Sequence, residues 1–574
     1  MVKKTLDVQL KKRINWMFVI FAVLFLGLIG RFFLLQIVQH RAYLDLAARQ
    51  QTNVRESTPE RGSIFMTDKT GQLAPLAENR VYKTLIVSPK LVADTEGTAS
   101  FLAEMFGLDK NELVKRFSDK NDEYEVVAKK VEPDIADTIS AKQMAGVFFQ
   151  EEKLRFYPHT TLASQLVGFV SREKNAEEGK YGIEQTYEQQ LAGNGGAKKN
   201  ATNASDFLSM LGRSIIHPAQ NGADVYTTID YNIQLKTEEI LANIQKKWQA
   251  PSGLAIVMEP KTGRILALAN LPSFDPNNFS KEKNFSVFLN NTIQATYELG
   301  SVMKPVIMSA ALEEHIVSPT TTYNDTGAAQ FGSYTIRNFD EQAHGVQTMT
   351  QVIEKSLNTG MVFVSRLLGK EKELDYLKKF GFGQKTGIDL TGEVSGNITR
   401  LNDMRDIDFA TAAFGQGISV TPLQVATAIG AIANHGVLMQ PYVIDRIVDD
   451  SGNVAAKNPA EARRVISRDT AEQMTKMMIG VVRNSFENKA AIKGYFIAGK
   501  TGTAQIAIPG GKGYSDKVIH TFVGYAPAFD PQFLILLELV DPIGNKFAAN
   551  TLTPAFHDLA QFILNYYEIP PDEK

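Results

Sequence analysis

The chain has 574 residues, which argues for more than one domain. Apolar residues make up 44% and charged ones 22%, the range of a folded protein with buried cores. A net charge of −2 gives no reason to expect nucleic acid as a partner, and the absence of cysteine removes disulfides, thiolate metal sites and cysteine nucleophiles together.

The N-terminus carries Lys3, Lys4, Lys11, Lys12 and Arg13, then an apolar run from Trp16 to Gly30, then Arg31 and Phe32 to Gln36. A spanning helix needs about 20 mostly apolar residues, and residues 16–36 supply them if Arg31 snorkels to the far interface. No small-residue cleavage site follows Gly30, and the run is apolar on every face. This predicts an uncleaved single transmembrane helix, with residues 1–15 cytoplasmic and the bulk of the chain outside.

Residues 37–222 are mixed. Arg61 to Ile64 and Asp68 to Ala74 read as strand, turn and strand, and Leu85 to Val87 is strand-like. Segments 97–118 and 131–143 read as helices, another follows Arg155-Phe-Tyr-Pro158, and one opens at Gly182 and runs to Leu191. Residues 193–209 suit a surface loop. Nothing in this region groups a nucleophile, a base or metal ligands. From 223 the apolar runs lengthen. Leu254 to Met258 and Ile265 to Leu268, joined by Pro260-Lys-Thr-Gly263, predict a β-hairpin. Helical patterns dominate from Val302 to about Ala433. Phe496 to Ala498, Thr521 to Tyr525 and Phe533 to Val540 supply three more strands, and an apolar helix from Leu559 to Tyr567 closes the chain. The expected fold class is α+β: a mostly antiparallel sheet with helices packed on it.

Three short motifs carry the chemistry. In Glu298-Leu-Gly-Ser-Val-Met-Lys-Pro305, Ser301 and Lys304 lie three apart at the start of an apolar helix, so they share a face. A serine hydroxyl needs a base, and a lysine made neutral by burial beside another cation can be one. Ser301 is expected at the helix N-terminus, within reach of the Lys304 amine, with Pro305 in or near the first turn. Ser356-Leu-Asn358 follows, where Ser356 can relay a proton and Asn358 can bind a substrate amide. Lys500-Thr-Gly-Thr503 lies on the strand that begins at Phe496. There Lys500 adds a second positive charge, Thr501 and Thr503 can bind a carboxylate, and Gly502 leaves room for substrate along the strand edge. The backbone N–H groups of Ser301 and Thr503 are the expected oxyanion hole. Each motif has decoys. Ser171 with Lys174 and Ser280 with Lys283 repeat the first; Ser395 with Asn397 and Ser451 with Asn453 repeat the second. Lys69, Lys261 and Lys385 each head a Lys-Thr-Gly that reads as a polar turn. A lone Ser-x-x-Lys is more often a capped surface helix than a nucleophile. Only Ser301, Ser356 and Lys500 occur in this order with an apolar helix after the first, an apolar strand around the last, and no obvious turn around the second.

The ordered triplet resembles that of the penicillin-binding proteins and serine β-lactamases. Arg61-Gly62 with Asp68 and Gly71, Arg155 with Tyr157-Pro158, and Gly182-Ile-Glu184 resemble the non-catalytic region of the class B penicillin-binding proteins. Phe380 to Gly383, Thr386-Gly387, Gly415-Gln-Gly417 and Thr421 to Gln424 resemble their transpeptidase domain. Leu299 stands where the family usually has proline, and the spacing from Arg61-Gly62 to Asp68 is longer than usual; neither touches a reacting group. The resemblance implies an anchor at 16–36, an elongated non-catalytic pedestal, dimerisation-like, at 37–222, and a penicillin-binding transpeptidase domain at 223–574. It implies a monofunctional D,D-transpeptidase of the inner membrane with its catalytic domain outside the cytoplasm, serving division or elongation. Ser301 would attack the carbonyl between the terminal D-alanines of a peptidoglycan stem peptide, with no metal or cofactor, and β-lactams would acylate the same serine. Implied partners are a polytopic membrane glycosyltransferase and other division or elongation proteins. Two rivals share the triplet: a β-lactamase or β-lactam sensor, and a catalytically inactive scaffold of the wall machinery.

Overall fold

The computed structural model describes residues 2–33, 59–173, 176–194, 220–298, 300–484, 489–508 and 513–573. It divides into two units, Met1–Thr58 with Gly195–Ala219, and Pro59–Asn194 with Gln220–Lys574. In the first, a helix α1 spans Val2–Phe33 and exposes Trp16, Met17, Phe21 and the side chains from Val23 to Phe33. No helix among the described residues is long and apolar enough to cross a membrane. The expected anchor at 16–36 runs on through 34–36, which lie outside them. The expected loop at 193–209 also lies almost wholly outside them.

The second unit begins with a sheet. Strands β1 (Ile64–Thr67) and β2 (Leu73–Val87) pair antiparallel around a turn. There the Asp68 carboxylate accepts from the Thr70 and Gln72 N–H groups. β3 (Glu125–Val131) and β4 (Val147–Phe156) both pair with β2. The two expected helical segments here appear as Thr95–Phe106 with Lys110–Phe117, and Pro133–Ala141. The helix expected from Gly182 to Leu191 is broken into two short turns, Gly182–Thr186 and Glu188–Ala192.

The same sheet continues past residue 223. Strand β5 (Asp224–Asp230) runs parallel to β1, and Ile444–Val448 pairs with β5 in turn. The segment Arg61–Ser63 is pinned there by close backbone approach. A Cβ on Gly62 would sit 1.9 Å from the Ala223 carbonyl oxygen.

Beneath this junction three residues from distant segments converge on one carboxylate. Glu184 is fully buried. Arg61 Nε donates to Glu184 Oε2 at 2.8 Å, Arg155 Nε to Oε1 at 2.7 Å, and Tyr157 OH to Oε1 at 3.2 Å. Burial pushes the Glu184 pKa up, but the Arg155 and Arg61 guanidiniums overcome it and hold the carboxyl below its usual value.

The rest of the unit is built on a sheet of five antiparallel strands. Helix α2 (Tyr231–Trp248) follows β5, capped by the Asp230 side chain. Then come the expected hairpin, β6 (Ser252–Met258) and β7 (Ile265–Leu271), and late in the chain β8 (Ala498–Ala507), β9 (Tyr514–Ala526) and β10 (Phe533–Val540). Their order is β8-β9-β10-β6-β7, so β8, which carries Lys500, is an edge strand. Strands alternate their side chains between faces. Ala255, Val257, Phe522 and Leu537 pack on one side with α2 and the closing helix α3 (Ala548–Tyr566). Leu254, Ile256, Val523 and Leu536 pack on the other with the helical region. The closing helix starts well before the expected Leu559. The helical region also differs from expectation. Two four-residue strand pairs interrupt it, Thr322–Asp325 with Gly345–Thr348 and Ala328–Phe331 with Tyr334–Arg337. Strands of four residues are too short for an alternation to stand out.

Candidate active site

Ser301 sits where three segments meet. Gly300–Met303 is a single 3-10 turn, and the α-helix behind it, Lys304–Glu313, is buried throughout Lys304–Leu312. Ser301 does not cap that helix: the α-helix starts three residues later without a side-chain cap, and Pro305 lies in its first turn as expected. Residues three apart nearly eclipse in a 3-10 turn, so Ser301 and Lys304 stay on one side. Gly300 has φ +62°, and a Cβ there would lie 3.0 Å from the Thr503 carbonyl oxygen on the edge strand. On its other side Gly300 N–H donates to Gly415 O at 3.2 Å, and a Cβ on Gly415 would come within 2.2 Å of Gly300 O. Two glycines thus let the nucleophile turn press against both the edge strand and the Gly415 loop. The Gly415 contact is invisible to local sequence reading; the resemblance alone drew notice to Gly415-Gln-Gly417.

Ser356 joins two helices, Met349–Glu354 and Asn358–Leu368. It has φ +56°, the left-handed region that a non-glycine residue occupies at some cost. No turn is obvious in the sequence there, yet the structure has a tight one. It presents both the carbonyl and the hydroxyl of Ser356 to Lys304. Lys304 Nζ donates to Ser356 O at 2.5 Å and to Asn358 Oδ1 at 2.9 Å, and lies 3.2 Å from Ser356 Oγ. Lys500 Nζ donates to the same hydroxyl at 3.0 Å and to Thr501 O at 3.1 Å. Ser356 Oγ therefore bridges the two lysines. The expected Lys304 to Ser301 hydrogen bond is not among the described contacts; Lys304 is held by Ser356 and Asn358.

Asn358 is fixed from the other side. Its Nδ2 donates to Arg337 O at 2.9 Å, and its neighbour Thr359 donates through Oγ1 to Asp325 Oδ1 at 2.8 Å. Thr501 and Thr503 lie on the edge strand with Gly502 buried between them. Thr503 Oγ1 accepts from the Ala548 N–H at 3.3 Å.

Both lysines are fully buried. Burial, reinforced by the nearby charge of Lys500, pushes the Lys304 pKa well below the ordinary lysine value. Burial lowers Lys500 to about 7. Glu298, three residues before Ser301, accepts from Tyr514 OH at 2.9 Å, tying the nucleophile segment to the far end of the β8–β9 hairpin. No local motif links this pair, whose residues are over two hundred positions apart. The decoys stay apart: Ser171 is on the strand Phe169–Glu173, and Ser280 in the 3-10 turn Pro276–Lys281.

An antiparallel sheet with a lysine-bearing edge strand, facing a helical region that supplies a serine and a buried lysine, defines a penicillin-recognising serine enzyme. Residues 253–561, more than half of the chain, match the family described as penicillin binding protein transpeptidase domain. Residues 56–227 match the penicillin-binding protein dimerisation domain. Stage V sporulation protein D of Bacillus subtilis is 31% identical over 554 residues, 96% of this chain and 84% of that one. Peptidoglycan D,D-transpeptidase FtsI of Escherichia coli (strain K12) is 29% identical over 553 residues, 95% of this chain and 90% of that one. Among solved structures, penicillin binding protein 3 of Mycobacterium tuberculosis complexed with ampicillin has a TM-score of 0.70 at 27% identity, covering 90% of this chain and 97% of that one. The chain belongs to the class B penicillin-binding proteins.

Proposed function

We infer that this protein is a peptidoglycan D,D-transpeptidase of cell-wall synthesis, with Ser301 as its nucleophile. The observation that carries the assignment of roles is the Lys304–Ser356–Lys500 chain, buried at both ends and lying beside the Ser301 turn. Ser301 Oγ attacks the carbonyl between the two terminal D-alanines of a stem peptide, and its proton passes to neutral Lys304. Backbone N–H groups of Ser301 and Thr503 receive the developing oxyanion, each donor worth about 3–4 kcal/mol. As the C–N bond breaks, the proton moves through Ser356 to the leaving D-alanine nitrogen. An amine from a neighbouring stem then attacks the acyl-enzyme, gives up a proton by the same route, and Ser301 recovers its hydrogen. Asn358 holds the substrate amide, Thr501 and Thr503 hold its carboxylate, and Gly502 lets the peptide lie along the β8 edge. β-Lactams acylate Ser301 in place of substrate.

The same reading has residues 16–36 as a single membrane anchor, residues 37–222 as the non-catalytic pedestal and residues 223–574 as the transpeptidase domain outside the cytoplasm. A polytopic membrane glycosyltransferase and other division or elongation proteins are its partners. The basic cluster before Trp16 supports the orientation. One experiment tests site and topology together. A membrane-impermeant labelled penicillin, added outside cells stripped of outer barriers, should label the wild type, Ser171→Ala and Ser280→Ala durably. Folded Ser301→Ala should stay unlabelled. Full labelling of Ser301→Ala removes it as the nucleophile, labelling only after membrane disruption reverses the topology, and rapid loss of label favours a β-lactamase.

A further inference from the structure

A cavity of about 720 Å³ opens on the helical region, between the tip of the Ala328–Phe331/Tyr334–Arg337 hairpin and the helices Asn358–Leu368, Lys370–Lys379 and Asp406–Ala412. None of the site residues named above lines it. Its size falls in the range of small-molecule sites, about 300–1,000 Å³.

Two elements run from the catalytic centre to this cavity. The strand Tyr334–Arg337 ends at the carbonyl that Asn358 Nδ2 contacts and begins at Tyr334 on the cavity wall. Three residues of strand cover about 10 Å. The helix that starts at Asn358 reaches Ser365 and Arg366 on the opposite wall, a rise of about 11–12 Å. An extended peptide covers about 3.3–3.6 Å per residue, so three or four residues of a stem peptide bridge the same distance.

The wall chemistry selects among ligands. Its two cations already have local partners, though only one of these is a carboxylate. Arg366 lies 4.4 Å from the centre of the Phe331 ring and donates to Gln330 O, and Lys370 pairs with Asp406 at 2.9 Å. With Lys370 neutralised by Asp406 and Arg366 turned onto a ring and a backbone carbonyl, one positive charge is left in excess, a weak hold for an anion. Tyr334, in contrast, exposes 65% of its surface beside the polar Ser333. An exposed aromatic ring next to hydroxyl and N–H groups suits a ligand with an apolar face and a polar rim, which is the character of a pyranose carrying hydroxyl and acetamido groups.

We propose that this cavity is a subsite for an N-acetylated amino sugar of the glycan strand to which the stem peptide is attached. The proposal rests on the transpeptidase reading of the Ser301 site. The subsite holds the saccharide end of the substrate while its peptide reaches Ser301, so that remote binding assists positioning at the reacting carbonyl.

The test uses the full chain and two donors: a free stem peptide ending in D-Ala-D-Ala, and the same peptide joined to an N-acetylglucosaminyl–N-acetylmuramic acid disaccharide. The wild type should show a kcat/KM about tenfold or more higher for the disaccharide-linked donor. Tyr334→Ala, which removes the ring, and Ser333→Trp, which fills the cavity mouth, should each bring the two donors to within about twofold. Penicillin labelling and free-peptide turnover should be unchanged, and these also report that each variant is folded. A wild type that turns over both donors equally, or variants that keep the advantage, overturns the subsite alone. A wild type that turns over neither donor and takes no penicillin label overturns the transpeptidase reading beneath it.

Discussion

Two places in this molecule bury charged side chains, and they do so in opposite ways. In the pedestal, Glu184 is enclosed by Arg61 and Arg155, each bonded to one of its oxygens. Opposite charges in contact offset the loss of water, and the Glu184 carboxyl is held below its usual value. At the Ser301 site two cations, Lys304 and Lys500, are buried with a hydroxyl between them, and no carboxylate is among their described hydrogen-bond or ion-pair partners. Burial acts on both amines and the charge of Lys500 adds to it at Lys304, so both lose their protons more readily. Paired buried charge fixes a joint between distant segments. Unpaired buried charge of one sign makes a base.

The sharpest way to break that contrast is at Lys304. If its neutral form takes the Ser301 proton, Lys304→Arg puts a permanent cation there and removes the base, since arginine stays protonated. Acylation by penicillin per folded molecule should fall by about 10²–10⁴-fold, and the melting temperature should fall as well, because a larger permanent cation is buried beside Lys500. Wild-type acylation should rise with pH through an apparent pKa below that of free lysine, about 10.4. Acylation of Lys304→Arg within about tenfold of wild type, a barrier change of only ~1.4 kcal/mol, would show that Lys304 merely orients the serine.

Glu184→Gln probes the other side of the comparison. It preserves shape but leaves the buried Arg155 without its carboxylate and Arg61 with Glu188 alone. Breaking such a pair typically costs about 3–5 kcal/mol, readable as a shift in the urea midpoint. Acylation per folded molecule should stay near wild type, because none of the described contacts of Glu184 reaches the site. The sign with pH follows from the lowered folded pKa. The contribution of Glu184 is present above about pH 4.5, the unfolded value, and is lost as pH falls through the folded one. An unchanged urea midpoint at pH 7 would mean that the network contributes nothing net.

Much of the catalytic half was legible in the sequence. Leu254 to Met258 and Phe533 to Val540 are long apolar runs, and both are buried strands of one sheet. Ser301, Ser356 and Lys500 stood out because their order and flanks differed from those of the decoys. What was not legible came from tertiary contact. The 3-10 turn at Ser301 depends on Gly300 being pressed between Thr503 and Gly415. Ser356 adopts its left-handed φ although nothing in Lys355-Ser-Leu357 encodes a turn. The hairpin Ala328–Arg337 has strands too short to carry a period, and it forms a wall of the proposed sugar subsite. In the pedestal, Arg61 and Glu184 are 123 positions apart, so residue resemblance could flag them but no local pattern could pair them.

The effect that is smallest per pH unit is the most specific to unpaired charge. Lys500 has a folded pKa of about 7 against 10.5 for an ordinary lysine. Between those values the unfolded chain binds a proton that the folded chain does not. Stability should therefore rise with pH across this window, by at most about 1.4 kcal/mol per pH unit from this one group. Lys304 contributes with the same sign. The buried carboxyls Glu373 and Glu538, each raised to about 8, contribute with the opposite sign below that pH, because there the folded chain holds the extra proton. The total slope is thus a mixture, and the informative quantity is the difference between wild type and Lys500→Met. Removing Lys500 deletes its own titration and also relieves Lys304 of a neighbouring charge, so both changes flatten the rise. Urea unfolding of the two proteins at several pH values from 7 to 10 should show the wild type gaining stability relative to Lys500→Met as pH increases. Parallel curves would mean that Lys500 stays charged in the folded protein. The two buried lysines would then need a counter-ion, and the contrast with the Glu184 network would disappear.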